Sequence, residues 1–285
     1  MTATTERRLR LGRYRLALNK TRVMGIVNVT PDSFSDGGRY FSARAAIAHA
    51  ESLVAQGADI LDIGGESTRP GATPVDLQEE RRRLLPVLRA LIADAGVPIS
   101  VDTRQPAMMR EALDLGVDMI NDVAGLRSAE ARQALADYPD AAICLMHMQG
   151  EPQTMQRQPA YQDVVGEVRR FFAQRLAVCA QAGVNPERVV LDPGLGFGKL
   201  LHHNVGLIHG LHRLAELGPP VLVGISRKRM IGELLGDSAS DRTGGSVAAG
   251  LYAARQGARI LRVHDVRQTR DALRVWQGLE AASAV

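Results

Sequence analysis

The chain has 285 residues, a formal net charge of +4, 45% hydrophobic residues and 23% charged residues. That length suits one large domain or two small ones, and the composition is ordinary for a soluble globular protein. Aromatic residues make up only 4%, so the scattered arginines read as a solvated surface plus a site for anions, and not as a nucleic-acid face, which concentrates cations with aromatics.

No apolar run is long enough to span a membrane. The opening MTATTERRLR has no apolar stretch behind its arginines and does not read as a secretory signal. Cys144 and Cys179 are the only cysteines. They suit a reducing cytosol and suggest no disulfide framework, so a cytoplasmic location is expected.

The polar Met1–Arg8 is expected to fray. Leu9–Leu18 alternates loosely around Gly12-Arg13, which predicts a short hairpin that would plug one end of a barrel. Val23–Val27 reads as a buried strand, stopped by Thr30-Pro31 because proline cannot donate to a ladder. Ser42 is placed to cap a helix that runs through Ala45, Ile47, Ala50, Leu53 and Val54 to Gly57. Asp59–Ile63 is the next strand. Glu79–Ala95 is helical, with Pro86 a predicted kink. Strands follow at Pro98–Val101, Asp118–Ile120, Ala141–Met146, Arg188–Leu191, Val221–Ile225 and Arg259–Val263. Helical patterns lie between them at Ala107–Leu115 (opened by Pro106), Asp163–Ala182 and Thr243–Gln256, and Val266–Ala282 closes the chain.

The strands read as continuous apolar runs, as buried parallel strands do. Alternation over about 250 residues is the pattern of an α/β fold of the (β/α)8 TIM-barrel type. A doubly wound open sheet competes, but no G-x-G-x-x-G follows the first strand. The expected organisation is a tail and hairpin over 1–20 and a single barrel domain over 21–285.

Polar residues collect at the strand ends: Asn28, Asp62, Asp102, Asn121, His147, Asp192, Ser226 and His264. One acid after a strand is usually a helix cap. A polar residue at every strand end points instead to a ligand, because those ends share one face of a barrel and buried polar groups need partners. Gly64–Gly71, the segment Asp192–Lys199 (DPGLGFGK), Ser226-Arg227-Lys228-Arg229 and Arg262-Val263-His264-Asp265 add cations, hydroxyls and free backbone N–H groups suited to a phosphate or diphosphate. A solvated basic turn is the bland reading of SRKR. His147-Met148 reads as packing near the site and His202-His203 as surface, since neither has zinc spacing.

MGIVNVTPDSFSDGG, DIGGESTRPGA, ISVDT, IND, LMHMQG, LDPGLGFGK, SRK and RVHDV resemble, in order, the signature segments of dihydropteroate synthase. The resemblance implies a (β/α)8 enzyme of folate synthesis, usually a homodimer and a sulfonamide target. Such an enzyme joins para-aminobenzoate to (7,8-dihydropterin-6-yl)methyl diphosphate, with Mg2+. Asn28 matches the magnesium ligand, and Asp36 matches a loop acid that orders metal and diphosphate. Asp102, Asn121, Asp192 and Lys228 match the pterin pocket, with Ile26, Met146 and Phe197 as its apolar walls. Thr68, Arg69, Arg262 and His264 match the diphosphate and aminobenzoate end. The implied catalytic group is Asp36, Arg69, Lys228, Arg262 and His264.

Arg229 departs from the pattern: bacterial members often have serine there, against the aminobenzoate carboxylate. Competing readings are a pterin-binding methyltransferase of the same barrel type and a silent pterin-binding paralogue.

Overall fold

The structure, a computed structural model, describes residues 8–29, 38–66, 75–150, 154–156, 158–237 and 241–282. Two short strands come first, β1 (Arg8–Leu11) and β2 (Tyr14–Ala17), paired antiparallel from Arg8 with Ala17 to Leu11 with Tyr14. Eight parallel strands then close a barrel: β3 (Arg22–Asn28), β4 (Ile60–Gly64), β5 (Ile99–Asp102), β6 (Met119–Asp122), β7 (Ala142–Met146), β8 (Val189–Asp192), β9 (Val221–Gly224) and β10 (Ala258–Val263). β10 pairs with both β9 and β3, which closes the ring. The (β/α)8 expectation therefore holds.

The helices are α1 (Gly38–Ala55), α2 (Leu77–Asp94), α3 (Pro106–Asp114), α4 (Ala129–Ala136), α5 (Val164–Gln181), α6 (Leu201–His209), α7 (Leu211–Ala215), α8 (Arg229–Leu235), α9 (Thr243–Arg255) and α10 (Val266–Ala282). α1 begins at Gly38, so Ser42 lies inside it and is not its cap. α2 is capped by Asp76, whose side chain accepts from the Glu79 N–H, and Pro86 sits within the helix. α4, α6, α7 and α8 were not read from the sequence. None among the described helices is long and apolar enough to cross a membrane.

Side chains alternate across each strand, and both faces are used. The outward set, including Val23, Leu61, Val101, Ile120, Leu145, Leu191, Val223 and Leu261, packs under the helices. The inward set splits by height. At the N-terminal end of the barrel Met24, Ile60, Met119, Ala142, Cys144, Val190, Leu222 and Ile260 pack with Leu9, Leu11 and Leu18 of the hairpin. Gly12 turns that hairpin at φ +53, and a Cβ there would lie 2.3 Å from Asp118 Oδ1. Its N–H donates to the Asp140 carbonyl at 2.9 Å. Polar inward residues are left for the opposite, C-terminal end, where the site lies.

Candidate active site

The pocket floor is a charged group drawn from β4, β5, β6 and β10. Asp62 pairs with Ile26 on one side and Ser100 on the other, and Asp102 pairs with Asn121. From β10, Arg262 donates through Nε to Asp62 Oδ2 at 2.5 Å and through a terminal nitrogen to Asp102 Oδ2 at 2.9 Å. Asn121 Nδ2 donates to Asp62 Oδ2 at 3.1 Å. Two carboxylates thus share one guanidinium. Burial, helped by the neighbouring Asp62 and opposed by Arg262, pushes Asp102 up to about 7. Burial alone would lower Arg262, but Asp62 and Asp102 outweigh it and hold the guanidinium above its usual range.

Asp192 ends β8, next to Met146 of β7. It is 6% exposed, and burial raises it, opposed by the Lys228 ammonium. One of its oxygens accepts from the Gly194 N–H at 2.8 Å. Lys228 stands over the Phe197 ring at 4.7 Å and donates to the Leu195 carbonyl. Burial lowers it to about 8, while Asp192 pulls the other way. Val123, Met146, Met148, Met155 and Phe197 make an apolar wall beside these groups, and Ile26 is buried across the mouth.

The turn after β9 separates its cations by backbone geometry. Arg227 has φ +58, which costs a non-glycine residue of order 1 kcal/mol or more. It is held there by a forked pair with Asp265 at 2.5 and 3.0 Å, and its N–H donates to Ser246 Oγ at 2.9 Å. Arg227 is thereby turned out and Lys228 turned in. Ser226 is buried and lies 3.1 Å from His264 Nδ1.

Of the residues expected from sequence, Asp102, Asn121, Met146, Asp192, Phe197, Lys228, Arg262 and His264 are in or beside this pocket, and Asn28 ends β3 at its rim. Arg262 differs from expectation in its partners: it lies among the floor carboxylates and not apart from them. Arg229 is not brought in. Its side chain is 90% exposed and pairs with Glu233 one turn along α8. Asp36, Thr68 and Arg69 lie outside the described residues. His203, expected at the surface, is buried: its Nδ1 accepts from the Leu200 N–H at 3.2 Å and its ring meets Tyr161 at 4.9 Å. His202 is exposed, as expected.

Sequence reasoning did not single out Lys199. The residue is 3% exposed, and burial lowers its ammonium to about 7. Asp62 was grouped with the strand ends, but the structure places it two residues inside β4. A carboxylate in the middle of an otherwise apolar strand was the available signal for it.

A family model described as pterin binding enzyme matches residues 24–264. The dihydropteroate synthase of Neisseria meningitidis is 56% identical over 274 residues, covering 94% of this chain and 96% of that protein. A structure of the Xanthomonas albilineans dihydropteroate synthase with 4-aminobenzoic acid superposes with a TM-score of 0.91 at 52% identity, covering 97% of this chain and 99% of the other. The same enzyme in complex with 7,8-dihydropteroate gives a TM-score of 0.87 at 49% identity, covering 96% and 99%. With a polar pocket of this kind at the barrel mouth and these identities along nearly its whole length, the chain belongs to the pterin-binding enzymes, in the dihydropteroate synthase family.

Proposed function

We infer that the protein condenses para-aminobenzoate with (7,8-dihydropterin-6-yl)methyl diphosphate, giving 7,8-dihydropteroate and diphosphate in folate biosynthesis. The observation that carries this reading is the ring of donors and acceptors at and just past the strand ends, the buried Asn121 and Asp192 with the half-buried Asp102 and Lys228. The pterin edge carries a guanidine-like donor pair, which the free acceptor capacity of Asp192 fits. Asn121 both donates and accepts, and the Lys228 ammonium suits the ring carbonyl. Phe197 and Met146 cover the apolar faces.

In this reading the C–O bond to diphosphate breaks first, and its electron pair leaves with the diphosphate. Positive charge spreads from the methylene into the pterin ring, which the fixed carboxylates beside it favour. The arylamine nitrogen then forms the new C–N bond and loses a proton to water. We assign His264, and Arg262 from its place on the floor, to the diphosphate end, and no covalent nucleophile is needed.

The described residues contain no group of three or more His, Cys, Asp or Glu that would cage a metal. The Asn28 amide oxygen fits a hard cation that takes its other ligands from phosphate and water, so Asn28 is the residue that would hold Mg2+. When bound, that ion supplies positive charge to the leaving group.

The same reading treats 21–285 as one functional unit, with the hairpin leucines as its base. It also takes the protein as a homodimer. Leu234, Leu235, Tyr252 and Val275 are exposed on α8, α9 and α10, and a second copy of the chain would cover them. The buried, unpaired thiols of Cys144 and Cys179 support a reducing compartment. The deciding experiment mixes purified protein, magnesium, the pterin diphosphate and para-aminobenzoate. Formation of 7,8-dihydropteroate is expected, and no product at any magnesium concentration overturns the reading.

A further inference from the structure

The glycine-rich segment after β8 lies directly on the backbone that follows β7. Gly194 has φ +64, and a Cβ there would lie 2.0 Å from the His147 carbonyl oxygen. A Cβ on Gly198 would lie 2.5 Å from the Gln149 carbonyl oxygen. Two loops this close, both dense in peptide groups, need donors between them.

Lys199 supplies most of them. Its Nζ lies 2.9 Å from the Phe197 carbonyl oxygen, 3.0 Å from that of Gly194, 3.2 Å from that of His147 and 3.0 Å from His147 Nδ1. These acceptors belong to both loops. An ammonium has three protons for these four neighbours, so the cage leaves it no capacity for a ligand. The His147 imidazole is held neutral: burial, joined by the nearby Lys199 charge, lowers it to about 3. Other carbonyls of the segment are met separately. Lys228 takes that of Leu195, Gln156 that of Gly196, and Tyr161 that of Gly198 at 3.0 Å.

The segment is therefore fastened along its length, and it carries two parts of the pocket. Phe197 is a wall and lies against the Lys228 ammonium. The Leu195 carbonyl is the acceptor that aims Lys228. The Phe197 carbonyl is itself one of the atoms that Lys199 grips.

We propose that Lys199 is a positioning residue for pterin recognition, clipping the 193–198 segment to the 147–149 segment so that Phe197 and Lys228 are set before the substrate arrives. This rests on the pterin-pocket reading above. Lys199 touches no substrate in it. Its effect passes through Phe197 and Lys228.

The test is a double-mutant cycle on pterin diphosphate binding by calorimetry, using Lys199→Met, Phe197→Ala and the pair. Lys199→Met keeps the length of the side chain and removes the donors. Alone it should weaken the pterin ligand by about tenfold. Binding of free magnesium diphosphate should stay within about twofold, because that end of the site is, in the same reading, built at the ends of β3 and β10. In the Phe197→Ala background, adding Lys199→Met should cost clearly less than it does alone, since one of the two parts it positions is already gone. Additive effects, or equal losses for both ligands, overturn the proposal in favour of a general packing role.

Amide hydrogen exchange of the ligand-free proteins gives a second readout. Protection should fall in 193–198 and not in the barrel strands, and unchanged protection also overturns the proposal. Should Lys199→Met fail to fold, Lys199→Gln keeps two N–H donors and enters the same cycle with a smaller loss expected. Wild type that does not bind the pterin diphosphate overturns the functional reading itself. Wild type that binds it as well as a folded Lys199→Met does overturns only the role of Lys199.

Discussion

At the scale of single residues, the pocket is organised by what each buried charge is given as a partner. Arg262 is matched by two carboxylates, Asp62 and Asp102, while Asp192 receives one backbone N–H and the field of Lys228. Asp192 is thus a carboxylate free of any guanidinium pair, with an oxygen left for a ligand. Replacing it by asparagine keeps the shape but presents an NH2 to the donor pair of the pterin edge. A buried mismatch of this kind costs about 1–3 kcal/mol, which is about tenfold or more in affinity. Asp192→Asn should weaken the pterin diphosphate accordingly and leave free diphosphate nearly unchanged. Titration of both ligands into both proteins checks this, and a parallel fall in the two affinities would remove Asp192 as the anchor. Asn28→Ala belongs to the same scale. It removes the amide that the proposed function assigns to Mg2+ and should cut turnover strongly at limiting magnesium, with circular dichroism unchanged. Equal turnover of variant and wild type under those conditions would remove Asn28 from the metal site.

At the scale of elements, the two ends of the barrel do different work. The hairpin leucines fill the N-terminal end against Met24, Ile60, Cys144 and Ile260, an apolar layer that separates them from Asp192 and Lys228. Leu11 is fully buried there. Leu11→Ala should lower the unfolding free energy by about 2–5 kcal/mol. Pterin affinity at a temperature where both proteins are folded should be unchanged. Urea unfolding and calorimetry check the two halves, and a loss of pterin affinity equal to that of Asp192→Asn would show that the ends are coupled. The barrel strands were legible in the sequence because parallel strands buried on both faces are short apolar runs, and their bounds moved mostly by a residue. Met119–Asp122, for example, runs past the expected Asp118–Ile120 because Asn121 and Asp122 stay in the ladder. α4, α6, α7 and α8 were not legible, being short pieces whose apolar residues are shared with loops that also pack. Asp62 could be read as polar but not as inward and central, because with both faces apolar the alternation of Ile60, Leu61 and Ile63 carries no contrast. Lys199 was hidden for a related reason: its partners are mostly carbonyls, which no side-chain pattern announces.

At the scale of the whole molecule, the polar floor and its surroundings gather buried titratable groups of both signs, and their effects on stability meet near neutrality. Burial raises Glu80 and Asp102 to about 7 and Asp122 to about 6. Between the ordinary carboxylate value and these values the folded chain holds protons that the unfolded chain has released. Their contribution is fully present below the unfolded values, near 4, and is lost as pH rises through about 6 to 7. Lysines behave in the opposite sense. Burial lowers Lys199 to about 7 and Lys228 to about 8, and below 10.5 the unfolded chain keeps protons that the folded chain tends to release. Their contribution is fully present above that unfolded value and is lost as pH falls through about 8 to 7. Lys228 is partly exposed and weighs less than the enclosed Lys199. Around pH 7 to 8 both sets therefore carry most of their cost at once. The ligand-free protein should show its lowest urea midpoint in that range, rising toward about pH 5.5 and toward about pH 9.5. In the proposed function the pterin diphosphate donates to Asp192 and accepts from Lys228, so its stabilisation should be largest in that same range and should flatten the profile. Urea titrations across pH, with and without ligand, measure both curves. A ligand-free profile that peaks at neutral pH would mean that the carboxylates and lysines of the barrel mouth are solvated in the absence of substrate, and that the pocket is not built in advance of the pterin.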